Sequence, residues 1–308
     1  MTEIAAPALP PSVPRDLYPF DGRYFERDGL RMHYLDEGVG LHPVVMVHGN
    51  PTWSFYFRSL VLALRDRTRV LVPDHIGCGL SDKPDDDAYH YTLESRIADL
   101  EAWLDHVAPH GPLTLMAHDW GGMIAMGWAA RHVDRVSRIV LMNTAAFHLP
   151  DDMRMPPTLA FVRNTRLASW MVKHGNLFAR GASWMASAHR MPRTLRDAYC
   201  APYDTPENRI ATLRFVQDIP LSPGDPAWDP VSEIERALPH FAQTPILFLW
   251  GEKDFVFRPA VLDVFERHWP NAESHRFPDA GHYVLEDAAS EIPPIVRDFF
   301  DRHPVAEP

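Results

Sequence analysis

The stretch AHDWGG, residues 117–122, constrains this chain more than any other. An apolar run of strand length, residues 112–117, leads into it, and a buried-helix pattern, residues 123–132, leads out. A strand that turns directly into a helix places one side chain on a strained corner. That side chain stands clear only if its neighbours carry little bulk, and Ala117 and Gly121 satisfy the condition. The corner residue is Asp119. A carboxylate is ionised at neutral pH without a base, and it can attack carbon to form an ester intermediate. Aspartate is also a favoured helix N-cap, so a second reading has Asp119 doing no more than closing the first helical turn.

Around this corner, strand patterns alternate with helix patterns. Residues 23–38 alternate about Asp28-Gly29, a strong hairpin signal, which predicts an antiparallel pair at a sheet edge. Short apolar strands are expected at 43–49, 69–74 and 136–143, with a helix-like run at 53–64. Residues 92–106 predict an amphipathic helix capped by Thr92, with Leu93, Ile97, Leu100 and Leu104 on one stripe. Such alternation predicts an α/β class, a mostly parallel sheet flanked by helices, with its working loops at the carboxyl ends of the strands. Asp119 falls at one of those ends.

From residue 148 to about 240 the alternation stops, and prolines, short helical patterns and many aromatics predict an inserted helical cap. The sheet pattern resumes at 244–250 and continues through a helix at 259–269, a strand at 273–277 and a helix at 290–302. The expected layout is a first core part at 1–147 that carries a Pro-rich arm at 1–16, a cap at 148–240, and a second core part at 241–308.

A formal charge of -11 argues against a nucleic-acid partner, and no P-loop, RRM or zinc-finger spacing occurs. The opening MTEIAAPALPPSVPRDLYPF is acidic and proline-broken where a signal peptide is basic and apolar, and no later run is long enough to span a bilayer. A cytoplasmic protein is expected. Cys78 and Cys200 make no disulfide framework and have no metal-ligand array around them, so both are expected to be small buried hydrophobes and no metal is implied. Residues 153–196 are the outlier. They contain no acidic residue, yet carry Arg154, Arg163, Arg166, Lys173, Arg180, Arg190, Arg193 and Arg196 among Phe161, Trp170, Phe178 and Trp184. This is either an ordinary solvated face or a surface that meets an acidic protein or an anionic lipid. With acyl-chain substrates the aromatics gain a second use as tunnel lining.

An aspartyl nucleophile needs donors for a developing anion and a group that handles protons. His48-Gly49-Asn50-Pro51 closes the strand at 43–49, where Asn50 offers an amide donor, and Trp120 offers an indole N–H beside the nucleophile. Each also has a plain reading, a turn residue before Pro51 and a packing aromatic. Of 17 histidines, His282 stands out in PDAGHYVLED just past the last strand. Asp254, in WGEKDFVF after the strand ending at Trp250, is the carboxylate expected to orient it. His48 and His118 are expected to be structural, and Asp74, Asp279 and Glu286 are weaker acid candidates, read as caps or turn formers.

HGNP, HDWGG, AYCAPYD and GHYVLED together resemble the haloalkane dehalogenases of the α/β-hydrolase superfamily, over all but the N-terminal arm. The order nucleophile, acid, base matches that superfamily. In one dehalogenase branch the acid follows the sixth strand, where this chain has Asn143, so the resemblance assigns the acid to Asp254. NTAAFHLP, GASWMASAHRMP, APYDTPENRI and TLRFVQDIPLSP are similar to the β-lactone decarboxylases of bacterial long-chain olefin biosynthesis. That resemblance implies a cis-3,4-dialkyl-oxetan-2-one as substrate, a cis-alkene and carbon dioxide as products, and no cofactor. It implies partners too: a condensing enzyme, a ketone reductase and a β-lactone synthetase. Peripheral membrane contact through the cap is a further expectation. Haloalkane dehalogenase is the alternative, and epoxide hydrolase, with Tyr199 and Tyr203 as its tyrosine pair, ranks below it.

Overall fold

The computed structural model describes residues 8–150 and 153–305, so the first seven residues of the Pro-rich arm lie outside the described part. Asp28 and Gly29 both adopt positive φ, 54° and 78°, which a two-residue hairpin turn requires if its twist is to match the strands. The turn joins β1 (Arg23–Arg27) to β2 (Leu30–Glu37), antiparallel, with Arg27 opposite Leu30. The chain then enters β3 (Val44–Val47), α1 (Arg58–Leu64), β4 (Val70–Pro73), α2 (Leu93–Val107), β5 (Leu113–Asp119), α3 (Trp120–Arg131) and β6 (Val136–Thr144). The expected helix at 53–64 begins instead as a tight 3₁₀ turn over Ser54–Phe57. The buried Asp74 carboxylate fixes that start, accepting the Ser54 N–H at 2.6 Å. Thr92 caps α2 as expected, accepting the Ser95 N–H, a contribution of about 1 kcal/mol.

Between β6 and the next strand the chain leaves the sheet for α4 (Pro157–Asn164), α5 (Arg166–Gly175), α6 (Leu177–Met185), α7 (Arg193–Cys200), α8 (Ile210–Gln217) and α9 (Trp228–Ala237). Val162, Ala168, Val172, Leu213 and Val216 give α4, α5 and α8 a small core of their own. On this topology we propose residues 148–240 as the cap, with α9 its return leg packed against α3. The sheet then resumes with β7 (Ile246–Gly251), α10 (Pro259–His268), β8 (Glu273–Phe277), α11 (Val284–Asp287) and α12 (Ile292–Arg302).

The strands lie in the order β1-β2-β4-β3-β5-β6-β7-β8, and every pair from β4 to β8 is parallel. Because side chains alternate across a strand, Val45 and Val47 enter the core beneath α2 and α3, while Val44 and Met46 enter the one beneath α1 and α12. A sheet covered on both faces leaves its functional groups only the strand ends. Among the described residues no helix is long and apolar enough to cross a membrane.

Candidate active site

Asp119 sits on the corner with φ 54° and ψ −130°, a conformation L residues rarely adopt, and its carboxylate makes no capping bond to α3. The helix-cap reading therefore fails. Instead Oδ1 accepts the Asn50 main-chain N–H at 2.7 Å. Three glycines make the corner possible. A Cβ on Gly49 would lie 2.1 Å from Asp119 Oδ1, one on Gly121 2.0 Å from the Val47 carbonyl oxygen, and one on Gly122 1.9 Å from Thr144 Oγ1. The Thr144 hydroxyl holds the Asp119 carbonyl from β6.

His282, between β8 and α11, faces the corner with Nε2 3.5 Å from Asp119 Oδ2. Its Nδ1–H donates to Asp254 Oδ2 at 2.8 Å, which fixes the tautomer and the ring plane. The structure thus gathers Asp119, His282 and Asp254, drawn from three strand ends. Burial works against a charged His282, but the Asp254 carboxylate and its hydrogen bond, with Asp119 behind them, raise its pKa above the ordinary histidine value. Burial also raises the Asp119 pKa, resisted by His282 and by the Asn50 N–H group.

One supporting role escapes the sequence patterns. Asn143, at the end of β6 with φ 31°, donates from Nδ2 to Asp254 Oδ2 and to the Gly251 carbonyl, both at 3.0 Å, and accepts the Gly251 N–H at 2.8 Å. It is a brace for the acid rather than the acid itself. Its place after the sixth strand was the only available signal. His118 donates from Nε2 to the His282 carbonyl at 2.9 Å, and His48 bonds locally to Gly49 and accepts the His75 N–H, so both histidines are structural.

Asn50 and Trp120 line the same cavity as Asp119 and His282. One amide hydrogen of Asn50 goes to the Thr212 carbonyl at 3.0 Å, which leaves the second for a ligand. The Trp120 indole N–H meets no acceptor among the described residues, and the ring is held against Phe215 with centroids 5.5 Å apart. The cavity, about 300 Å³, runs under the cap between Phe147, Met153, Phe178, Val216 and Phe257, so its walls are apolar. Tyr199 and Tyr203 do not line it: Tyr199 donates to Glu286, and Tyr203 to the Thr52 carbonyl. Asp74 binds His33 and the Ser54 and Leu80 N–H groups; Asp279 pairs with Lys253 and Glu286 with Arg58. All three lie outside the site. Cys78 is buried as expected, whereas Cys200, at the end of the short α7, is partly exposed.

A carboxylate on a strand-to-helix corner, facing a histidine that a second carboxylate orients, defines an α/β-hydrolase-type site with aspartate at the nucleophile position. Residues 42–289 match the α/β-hydrolase fold family. The chain belongs to that family, and within it to the group that holds the following relatives. It is 51% identical to a cis-3-alkyl-4-alkyloxetan-2-one decarboxylase of Shewanella oneidensis, over 92% of this chain and 89% of that protein. It is 50% identical to a decarboxylase of the same name from Xanthomonas campestris, over 91% and 95%. Haloalkane dehalogenase 2 of Mycobacterium tuberculosis is 32% identical over 92% and 96%. The crystal structure of a haloalkane dehalogenase from Agrobacterium tumefaciens superimposes with a TM-score of 0.81 at 27% identity, covering 92% of this chain and 96% of that one.

Proposed function

We propose that this protein decarboxylates a cis-3-alkyl-4-alkyloxetan-2-one to a cis-alkene and carbon dioxide, with Asp119 as nucleophile. The observation that carries this reading is a buried carboxylate under an apolar cavity, in a chain half identical to two such decarboxylases over nine-tenths of its length. Asp119 attacks the ring carbon that bears oxygen. The C–O bond breaks with inversion, an ester forms, and the substrate's own carboxylate is freed, held by the Asn50 amide and the Trp120 indole N–H. That carboxylate leaves as carbon dioxide. The electron pair of its C–C bond becomes the new double bond, and Asp119 departs as carboxylate from the opposite side. Inversion followed by anti loss turns a cis-lactone into a cis-alkene, and the enzyme is regenerated with no proton gained or lost. His282, charged and oriented by Asp254, stabilises Asp119 as attacking and leaving group.

The same groups would serve a dehalogenase, whose ester must be hydrolysed by water that His282 activates. Among the described residues no tyrosine lines the cavity, and Tyr199 and Tyr203, the candidates for an epoxide hydrolase's pair, are engaged elsewhere. The protein works in the cytoplasm, beside the condensing enzyme, ketone reductase and β-lactone synthetase that supply its lactone. The test is to offer purified protein a cis-β-lactone and, in parallel, a 1-haloalkane, and to assay alkene and halide. Alkene from wild type and none from Asp119→Asn is the expected result. Halide release without alkene would overturn the reading.

A further inference from the structure

Large apolar side chains rarely stand in water in a group, and here they do. Twelve are exposed among the described residues, and nine of them lie on or beside the cap: Leu149, Phe161, Leu167, Trp170, Leu177, Trp184, Met185, Leu221 and Phe255. Six of the nine also line the active-site cavity and so form its mouth. The other three, Leu167, Trp170 and Trp184, reach beyond it, at 61%, 60% and 55% exposure.

The helices carry this surface in register. On α6, Leu177, Gly181 and Met185 recur every fourth residue along the cavity, while Leu177, Arg180 and Trp184 form the adjoining stripe toward solvent. On α5, Leu167, Trp170 and His174 form one exposed stripe, with Ala168 and Val172 buried on the opposite side. α5 packs between α4 and α6, both of which line the mouth. Cations outnumber carboxylates on this surface, where the exposed Glu207 stands near Lys173 and His174. Arg166, Lys173, Arg180 and Arg190 have no carboxylate within ion-pair distance among the described residues, and residues 153–196 contain no acidic residue to offset them. Arg163 is different, since it pairs with Asp225 at 3.0 Å and is not available to a partner. Arg190 and Arg196 lie over the Trp184 ring, 5.0 and 3.7 Å from its centroid.

We propose that this face of the cap docks on an anionic lipid surface, with the mouth of the cavity opening against the bilayer. Exposed tryptophans flanked by cations match the chemistry of a bilayer interface, where indole sits at headgroup depth and Arg or Lys meets lipid phosphate. The choice of lipid over an acidic protein rests on where the patch lies and, in that respect, on the substrate class proposed above. A protein seated there would close the mouth, whereas a bilayer that covers it can hand over a two-tailed lactone and take up an alkene without either crossing water.

The test uses full-length protein and sedimentation with two kinds of vesicle, pure phosphatidylcholine and an equal mix of phosphatidylcholine with phosphatidylglycerol. Wild type should pellet with the anionic vesicles and be released by salt. Two variants should reduce the bound fraction at least about tenfold: Trp170→Ser with Trp184→Ser, and Arg166→Glu with Lys173→Glu and Arg180→Glu. Neither touches the cavity lining, so both should keep wild-type turnover of a short-chain lactone in solution, which reports folding and activity independently of docking. Failure to pellet, equal pelleting with neutral vesicles, or pelleting unchanged in both variants would overturn the proposal. So would capture of an acidic protein on this face by a chain that ignores vesicles. Absence of alkene from a wild type that still pellets with anionic vesicles would count against the activity and leave the docking standing.

Discussion

Asp119 works because four neighbours leave it one place to be: Gly49 and Gly121 give it room, the Asn50 N–H holds Oδ1, and His282 stands opposite Oδ2. Asn143 acts one step behind them. Asn143→Ala would leave the Gly251 N–H unbonded in the core and free one side of Asp254. A loss of about 2–4 kcal/mol in stability is expected, read by denaturant unfolding, with a fall in kcat larger than any rise in KM. The pair Asp119 and His282 sets the pH dependence. Turnover should fall on acidification as Asp119 is protonated, through a pKa above the ordinary aspartate value, and on alkalinisation as His282 loses its proton, above the ordinary histidine value. Asp254→Asn removes the main group that holds His282 protonated against burial, so the alkaline limb of kcat against pH should move to lower pH. A limb that stays in place would exclude His282 as its source.

At the scale of elements, the corner of β5 and α3 was legible because Gly, Ala and Asp carry backbone meaning that survives without coordinates. The hairpin at Asp28-Gly29, the Thr92 cap, the return of the sheet at β7 and the trio Asp119, Asp254 and His282 were legible for similar local reasons. What was not legible depends on long-range contacts. The 3₁₀ start at Ser54 is set by Asp74, twenty residues away, and the role of Asn143 is set by a loop more than a hundred residues on. The same limit applied to the main-chain N–H of Asn50, which reaches Asp119 Oδ1 in addition to the side-chain amide that the motif offers to a ligand. Packing of α3 on β3 offers a direct check. Gly121→Ala would drive a methyl into the Val47 carbonyl, so its melting temperature should fall by several degrees and its activity with it, whereas Gly111→Ala, with open space around it, tests only the cost of positive φ.

For the molecule as a whole, two buried carboxylates pull stability in opposite directions with pH. Asp74 is buried, which raises its pKa, yet His33 and the Leu80 N–H carry it down to about 2, so its contribution is full above pH 4 and lost as pH falls toward 2. Burial lifts Asp218 to about 6 against the pull of Arg96 and the Leu93 N–H, so the folded chain holds a proton there that the unfolded chain releases near pH 4. That group costs stability as pH rises from 4 to 6. Asp218→Asn keeps an acceptor for Leu93 and removes the charge; it should stabilise the protein at pH 7 by about 1–3 kcal/mol and leave it unchanged at pH 4.

The fold places one carboxylate under an apolar roof, with cations at the cap and His282 opposite, and the proposed chemistry resolves its ester by loss of carbon dioxide rather than by water. A single turnover of a cis-β-lactone in oxygen-18 water, with mass analysis of the peptide that carries Asp119, measures this directly. Stoichiometric cis-alkene with Asp119 unlabelled is the expected result. Oxygen-18 in that peptide while alkene is being formed would contradict it.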